Sequence, residues 1–253
     1  MFNKRYLMVY ITEETIAAAQ LDLGIIVDEP IADLLRLIII KQDCNKNAYE
    51  QKEVLIALMR YCVSKLDMKF MDRLTVVLII PLEFYSIYHH HIDDYIYTVK
   101  QIESIWFFEN VISAAASFLK QTVTDYKRKF MIYGEHKKTY ISLLWAGAIV
   151  DFICIEKTLM DITNEDLLYS IDTISRKIAG DIPAQFISNP LINQFGAAWY
   201  EAIDNNVYVI APDKMQVVWG DRINEYKLIY LHYEKNIVIK GGEDILKVLL
   251  KRS

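Results

Sequence analysis

Two stretches of this sequence share one grammar, and it limits the fold more than any other feature. Lys129 to Val150 reads KFMIYGEHKKTYISLLWAGAIV. An apolar run, Phe130 to Tyr133, enters a polar turn, Gly134 to Lys138. A second run, Tyr140 to Trp145, enters a small-residue turn at Ala146-Gly147, and a third runs from Ala148 to Ile155. Near the N-terminus Tyr6 to Ile11 is a run, Thr12 to Thr15 a polar turn, Ile16 to Leu23 a run and Ile25 to Val27 a third. Short apolar runs separated by turn residues read as strands in a meander. Two copies read as an internal duplication, which organises everything between them.

The segments between fit a mixed α/β chain. Ile31 to Lys41 reads as a strand or a short helix. Tyr49 to Leu66 repeats apolar residues (Val54, Leu55, Leu58, Met59, Cys62, Val63) at helical spacing. Asp72 to Ile80 is a continuous apolar run ended by Pro81, as in a strand covered on both faces. Residues 84–99 read as a helix, Ile102 to Phe108 as a strand, and Asn110 to Gln121 as a small-residue helix. Thr163 and Asp166 mark a helix start, because a threonine caps and an acid three residues on suits the first turn. Leu167, Leu168, Ile171, Ile174 and Ile178 form its apolar stripe. Ala184 to Ser188 reads as a short strand, Pro190 to Ile203 as a helix and Val207 to Ile210 as a buried strand. Ile223 to Leu231 and Ile237 to Ile239 read as late strands. Gly241-Gly242 reads as a break before a terminal helix, Glu243 to Lys251. The order is meander, helix, strand, helix, twice over, which is not an all-parallel doubly wound sheet.

Composition narrows the function. The 253 residues are 53% hydrophobic, enough for one large domain or two modest ones. A net charge of −5 argues against a nucleic-acid binder. The three cysteines, Cys44, Cys62 and Cys154, form no CxxC pair, so neither a zinc knuckle nor a disulfide framework is expected. The polar turn at Thr12 to Glu14 interrupts any signal-peptide core, and no stretch of about 18 apolar residues reads as a membrane span. A cytoplasmic protein is expected.

Several matches in order along the chain resemble the bacterial actin MreB and, more broadly, the actin superfamily. Leu7 to Pro30 (LMVYITEETIAAAQLDLGIIVDEP) is similar to the MreB opening, and Lys129 to Val150 to the family's second phosphate hairpin. Leu74 to Pro81, Phe108 to Ala116 (FENVISAAA), Ile162 to Leu167 (ITNEDL) and Val207 to Asp213 (VYVIAPD) resemble later family segments. The resemblance implies a duplicated actin-like (RNase H-like) α/β core of two subdomains with mixed sheets, residues 1–104 and 105–253, with a C-terminal helix return. Between Leu35 and Tyr49, and between Asp151 and Thr163, the family carries small subdomains that close over the nucleotide. Here only short connections stand there, so both upper subdomains are expected to be missing.

The departures bear on function. Where the family's first phosphate loop reads Asp-Leu-Gly-Thr-Ala-Asn, this chain has Tyr10-Ile11-Thr12-Glu13-Glu14-Thr15. Where the second reads Asp-Ile-Gly-Gly-Gly-Thr-Thr, it has Tyr133-Gly134-Glu135-His136-Lys137-Lys138-Thr139. The family's Gly-Gly-Gly on the nucleoside side falls near Ile187-Ser188-Asn189. Backbone N–H groups approach a phosphate closely only where no Cβ intrudes. Glu13 and Glu14 put negative charge where phosphates would sit, and at ~4 Å that repulsion costs a few kcal/mol. No nucleotide, other cofactor or metal is therefore expected, and no catalytic residue. Glu109 stands where the family has a glutamate pair near the attacking water.

Other clusters read as surface. Consecutive histidines His89-His90-His91 on a helix point about 100° apart and do not converge on one ion. Asp93-Asp94 with Glu83, and Lys127 to Lys129 with Lys137-Lys138, read as solvated charge. The terminal helix, with Ile245, Leu246, Val248 and Leu249 against Lys247, Lys251 and Arg252, is expected to dock on its own core and is compatible with weak peripheral membrane contact. The 17 tyrosines suit an interface or cover bare surface. The expectation is a non-catalytic, MreB-like scaffold or structural protein acting through protein partners, homo-oligomeric or from envelope assembly, in cell shape at the inner face of the membrane. The alternatives are a divergent ATP-binding ATPase, with Thr12, Thr15, Lys137 and Lys138 as phosphate ligands, and a modulator that copolymerises with a true MreB filament.

Overall fold

The computed structural model describes the chain except residues 1–2, 39–47, 70–71, 85–91, 93–96, 98, 100–101, 123–126, 136, 146, 185–195, 198, 212–218 and 253, and backbone alone at 3, 38, 117–122 and 252. The readings at Cys44, His89-His90-His91, Asp93-Asp94 and most of 84–99, and at 185–195, lie outside the described residues.

The first meander forms as three antiparallel strands, β1 (Asn3–Ile11), β2 (Thr15–Gln20) and β3 (Gly24–Pro30). β2 stops earlier than its apolar run. Asp22 and Gly24 turn the chain at φ 65° and 85°, in the left-handed region. Ile31 to Ile38 is a helix, α1. A 3₁₀ turn at Ala48–Glu50 leads into α2 (Lys52–Ser64), whose Val54, Leu55, Leu58, Met59 and Cys62 are buried. β4 (Asp72–Ile80) and β5 (Ile102–Glu109) then add in parallel, giving the sheet order β3-β2-β1-β4-β5. Leu7, Val9 and Ile11 face a core with α1 and α2. Val77 and Ile79 on β4 are buried too, and Ile79 meets Gly242 of the C-terminal helix. A helix layer on each face explains the unbroken apolar run of β4.

The same order recurs in the second sheet. β6 (Lys129–Glu135), β7 (Lys138–Trp145) and β8 (Ala148–Ile155) form the meander, and β9 (Asn206–Ala211) joins β6 in parallel. A two-residue β10 (Arg222–Ile223) turns at Asn224, φ 52°, into β11 (Tyr226–His232). The sheet order is β10-β11-β9-β6-β7-β8. The duplication is real at the level of topology: a meander, then two parallel strands beside its first strand. Between β5 and β6 runs α3 (Asn110–Thr122). α4 (Asn164–Lys177) begins as its sequence says: Thr163 Oγ1 accepts from Asp166 N at 3.1 Å, and Asp166 Oδ2 accepts from Thr163 N at 3.0 Å. Only residues 156–163, with one 3₁₀ turn at Leu159–Asp161, join β8 to α4, too few for a further subdomain.

Two expectations fail at the C-terminus. Ile237 to Ile239 is not a strand, and Gly241-Gly242 does not break the chain. Both lie within one helix, α5 (Ile237–Arg252). A Cβ on Gly241 would sit 1.6 Å from the Ser113 carbonyl oxygen and 3.3 Å from Ala116 Cβ. The glycine is there so that α5 can cross α3 closely, at small residues on both sides. Gly242 meets Ile79 in the same way, with a Cβ 2.7 Å from Ile79 Cδ1. Helix-breaking propensity, about 1 kcal/mol per glycine, is outweighed by packing.

The chain divides into two compact units, residues 1–116 with 236–253, and 117–235. β5 pairs with β4, so the first unit runs past residue 104, and α5 returns to it. Among the described residues no helix is long and apolar enough to cross a membrane.

Candidate functional site

In the open α/β architecture ligands bind beyond the carboxyl ends of the parallel strands. In the first unit that end of β1 is the turn from Thr12 to Thr15. The Thr12 hydroxyl sits inside it. Thr12 Oγ1 accepts from Thr15 N at 2.9 Å and from Glu14 N at 3.2 Å, and Thr12 N donates to Thr15 O at 2.9 Å. Ile31 N donates to Glu14 O at 2.8 Å, which ties the turn to the start of α1. Thr12 is buried while Glu13 and Glu14 are exposed. The amides that a phosphate would need are thus held by a side chain of the turn itself, as serine and threonine do in tight turns.

Beneath the turn the strand ends are closed by aromatic and amide groups. Tyr10 is buried, and Asn110 Nδ2 donates to its hydroxyl at 3.5 Å. Asn110 Oδ1 accepts from Leu82 N at 3.0 Å and Val111 N at 2.9 Å. Tyr49 donates to the Ile11 carbonyl at 3.0 Å and lies 3.3 Å from that of Ile79, with Phe84 against its ring at 5.9 Å. Burial raises the Tyr49 phenol well above its ordinary value, so it stays a neutral donor. Glu109 ends β5. Burial pushes its carboxyl up to about 7.

In the second unit the corresponding turn is shorter than its sequence reads. The β6–β7 ladder continues through Gly134↔Thr139 to Glu135↔Lys138, well into the charged run that reads as a turn. Gly134 and Glu135 are strand residues, paired with β7 and not arranged as an open loop. Gly134 has its own reason to be glycine: a Cβ there would lie 2.7 Å from Leu159 Cβ. Tyr133 is buried and stacks on Tyr140, centroids 6.1 Å apart, and Thr139 Oγ1 donates to Lys157 O at 3.0 Å. Burial pushes Glu135 up to about 8, against the lowering effect of Lys138. His136 and Ile187-Ser188-Asn189 lie outside the described residues.

No family model and no curated protein matches the sequence. Solved structures do match the fold. MreB 5 of Spiroplasma citri bound to AMPPNP aligns with a TM-score of 0.63 at 12% identity, over 98% of this chain and 98% of that one. The apo pSK41 ParM protein aligns with a TM-score of 0.54 at 9% identity, over 99% of each. The MamK double helical filament aligns with a TM-score of 0.53 at 8% identity, over 98% and 99%. This chain has the actin-like ATPase fold.

Within that actin-like fold, Tyr10, Thr12, Glu13 and Glu14 come together at the end of β1, and Tyr133, Glu135 and Lys137 at the end of β6. Each group lies in its own unit. Sequence reasoning missed Tyr49, Phe84 and Asn110, which close the first strand ends. Nothing local marks Tyr49, whose partners lie 38 and 30 residues away. It missed Leu159 as the reason for Gly134 as well. Lys157 and Asp166 form an ion pair at 2.9 Å. Asp166 is held down to about 2, first by the Thr163 amide and then by Lys157.

Proposed function

We propose that this actin-like chain is a non-catalytic structural protein that does not bind nucleotide and works through protein contacts, with copies of itself first among them. The observation that carries the reading is Thr12 Oγ1, which already accepts from the Glu14 and Thr15 amides. A phosphate entering this turn must break those bonds and approach two glutamates. Each lost hydrogen bond costs about 1 kcal/mol net, before any charge repulsion. The zipped β6–β7 hairpin supports the same reading. Assembly with copies of itself draws on the filament named for MamK. A scaffold role in cell shape or envelope assembly, at the inner face of the membrane, belongs to this proposal.

One observation favours a second reading, a divergent ATPase. Glu109 keeps a carboxyl that burial brings to about 7, the range of a general base. Isothermal titration with ATP and Mg²⁺ separates the two. No heat and no thermal-shift stabilisation, together with nucleotide-independent sedimentation of assemblies, is the expected result. Stoichiometric ATP binding overturns the proposal.

A further inference from the structure

Exposed apolar side chains and lysines gather at one end of the first unit. β1 and β4 start there side by side, at Asn3↔Asp72, opposite the end that carries the Thr12–Thr15 turn. The β2–β3 turn comes back to the start of β1, with Leu21 N donating to Tyr6 O at 3.1 Å. α5 runs along the sheet towards the same end. Asn236, just before it, donates to Asp28, and Lys247, about three turns further on, pairs with Asp22 of the β2–β3 turn at 3.4 Å. Leu246 of α5 is buried, but Val248 and Leu249 are 37% and 40% exposed. At the turn Leu23 is 71% exposed and Ile25 41%. Lys4 at the start of β1, Lys65 and Lys69 ahead of β4, and Lys251 on α5 are exposed as well. The acids Asp22, Asp72 and Glu103 are ion-paired with Lys247, Arg5 and Arg73. Among the described residues that leaves Asp67 set against those four lysines, a basic surplus.

We infer that this end of the first unit is a contact site for an anionic lipid surface. A single exposed leucine is ordinary, but here four apolar side chains on two elements coincide with lysines. The core of a protein–protein interface is depleted in lysine, so the lysines speak against another protein as the occupant. At a bilayer both kinds of side chain are satisfied. Leu23, Ile25, Val248 and Leu249 enter the boundary between headgroups and acyl chains. The lysines keep their ammonium groups among the phosphates while their stems cover apolar surface. Each lysine near an anionic leaflet strengthens binding about 5-fold. The site is shallow, and no described helix is long and apolar enough to cross a membrane, so the contact is reversible and weakens with salt. The apolar and basic end of α5 is visible in the sequence, whereas its joining to Leu23 and Ile25 through Lys247 and Asp22 is not. The inference rests on the membrane-face part of the proposed function and is independent of nucleotide binding and of self-assembly.

The test is flotation of the full chain with vesicles of phosphatidylcholine alone or mixed with phosphatidylglycerol, at low and high salt. Expected is binding to the anionic vesicles that falls as salt rises, with little binding to the neutral ones. Leu23→Asp should weaken it about 10-fold, the ratio that 1.4 kcal/mol of lost transfer free energy gives, and Lys251→Gln about 5-fold. Both positions are exposed, and circular dichroism checks that the variants fold. Hydrogen exchange of the unmodified chain needs no variant, and vesicles should protect residues 20–25 and 247–251. Absence of binding to either vesicle overturns the inference, and the membrane-face part of the proposed function with it. Binding that both variants keep, or that protects other segments instead, overturns the inference alone and leaves the membrane role standing. Equal binding to neutral and anionic vesicles removes the role of the lysines and overturns it too. A vesicle-independent oligomer that Leu23→Asp dissolves assigns this end to a second copy of the chain and likewise overturns it. ATP binding would sink the nucleotide-free reading and leave this result untouched.

Discussion

Replacing Gly241 by alanine should destabilise the protein, although the same change in most helices does the reverse. On an open helix surface Gly→Ala gains about 0.5–1 kcal/mol from backbone entropy. Here the new Cβ would lie 1.6 Å from Ser113 O and 2.7 Å from Ser113 C. A close C···O contact is ~3.3 Å, so α5 must retreat by roughly 1.7 Å from α3. The obstacle is backbone, which no rotamer change removes. Val238, Ile239 and Leu246 of α5 are buried. Burial stabilises side chains of this kind by about 1.5–3 kcal/mol each, and a gap of 0.5–1 Å already forfeits about a quarter to a half of the contact energy. Loss over three side chains is then about 1–4 kcal/mol, and the entropic gain offsets less than 1 kcal/mol of it. Gly242→Ala meets the movable end of Ile79 and should cost less. Urea denaturation followed by circular dichroism at 222 nm measures both. A Gly241→Ala variant with an unchanged or higher midpoint would refute the close-crossing explanation.

Further perturbations address the candidate site and the electrostatics. Tyr49→Phe removes the hydroxyl from the Ile11 and Ile79 carbonyls and should cost about 1–3 kcal/mol in urea denaturation. Thr163→Ala removes the cap of α4 and should cost about 1 kcal/mol. Asp166, depressed to about 2, stabilises the folded state above its ordinary carboxylate range near 4, and the benefit disappears as pH falls through about 2. Asp166→Asn should therefore lower the melting temperature at pH 6 and make no difference at pH 2. Glu135 has the opposite sign. Its carboxyl is raised to about 8, so the folded state pays increasingly for ionising it between about pH 4 and pH 8. Glu135→Gln should raise the melting temperature at pH 8.5 and leave it nearly unchanged at pH 5.

Much of the architecture was legible in the residues. The two meanders, β4 and the α4 start all carry local signals: period, turn residues, a capping pair. Those signals act over a few residues, so they can be read before folding. At Tyr10 to Thr15 the sequence shows by the same logic only that no glycine stands in the first turn, the feature on which the proposed lack of phosphate binding draws. What holds the turns closed was not legible. A threonine at residue 12 does not announce that its oxygen will take two amides. At the second turn a charged run hid a ladder that continues to Glu135↔Lys138.

Sequence by itself determined the class of fold and the duplication, because composition and period set which backbone states are affordable locally. Tertiary structure decided the rest. Gly241 and Gly242 read as a helix break, yet they lie in α5 because Ser113 and Ile79 leave no room for a Cβ. Gly134 reads as the start of a polar turn, yet it is a strand residue whose Cβ would lie 2.7 Å from Leu159 Cβ. Tyr49 closes strand ends that stand far from it in sequence. In each case the deciding neighbour is distant along the chain, and close packing becomes specific only once that neighbour has been brought into contact.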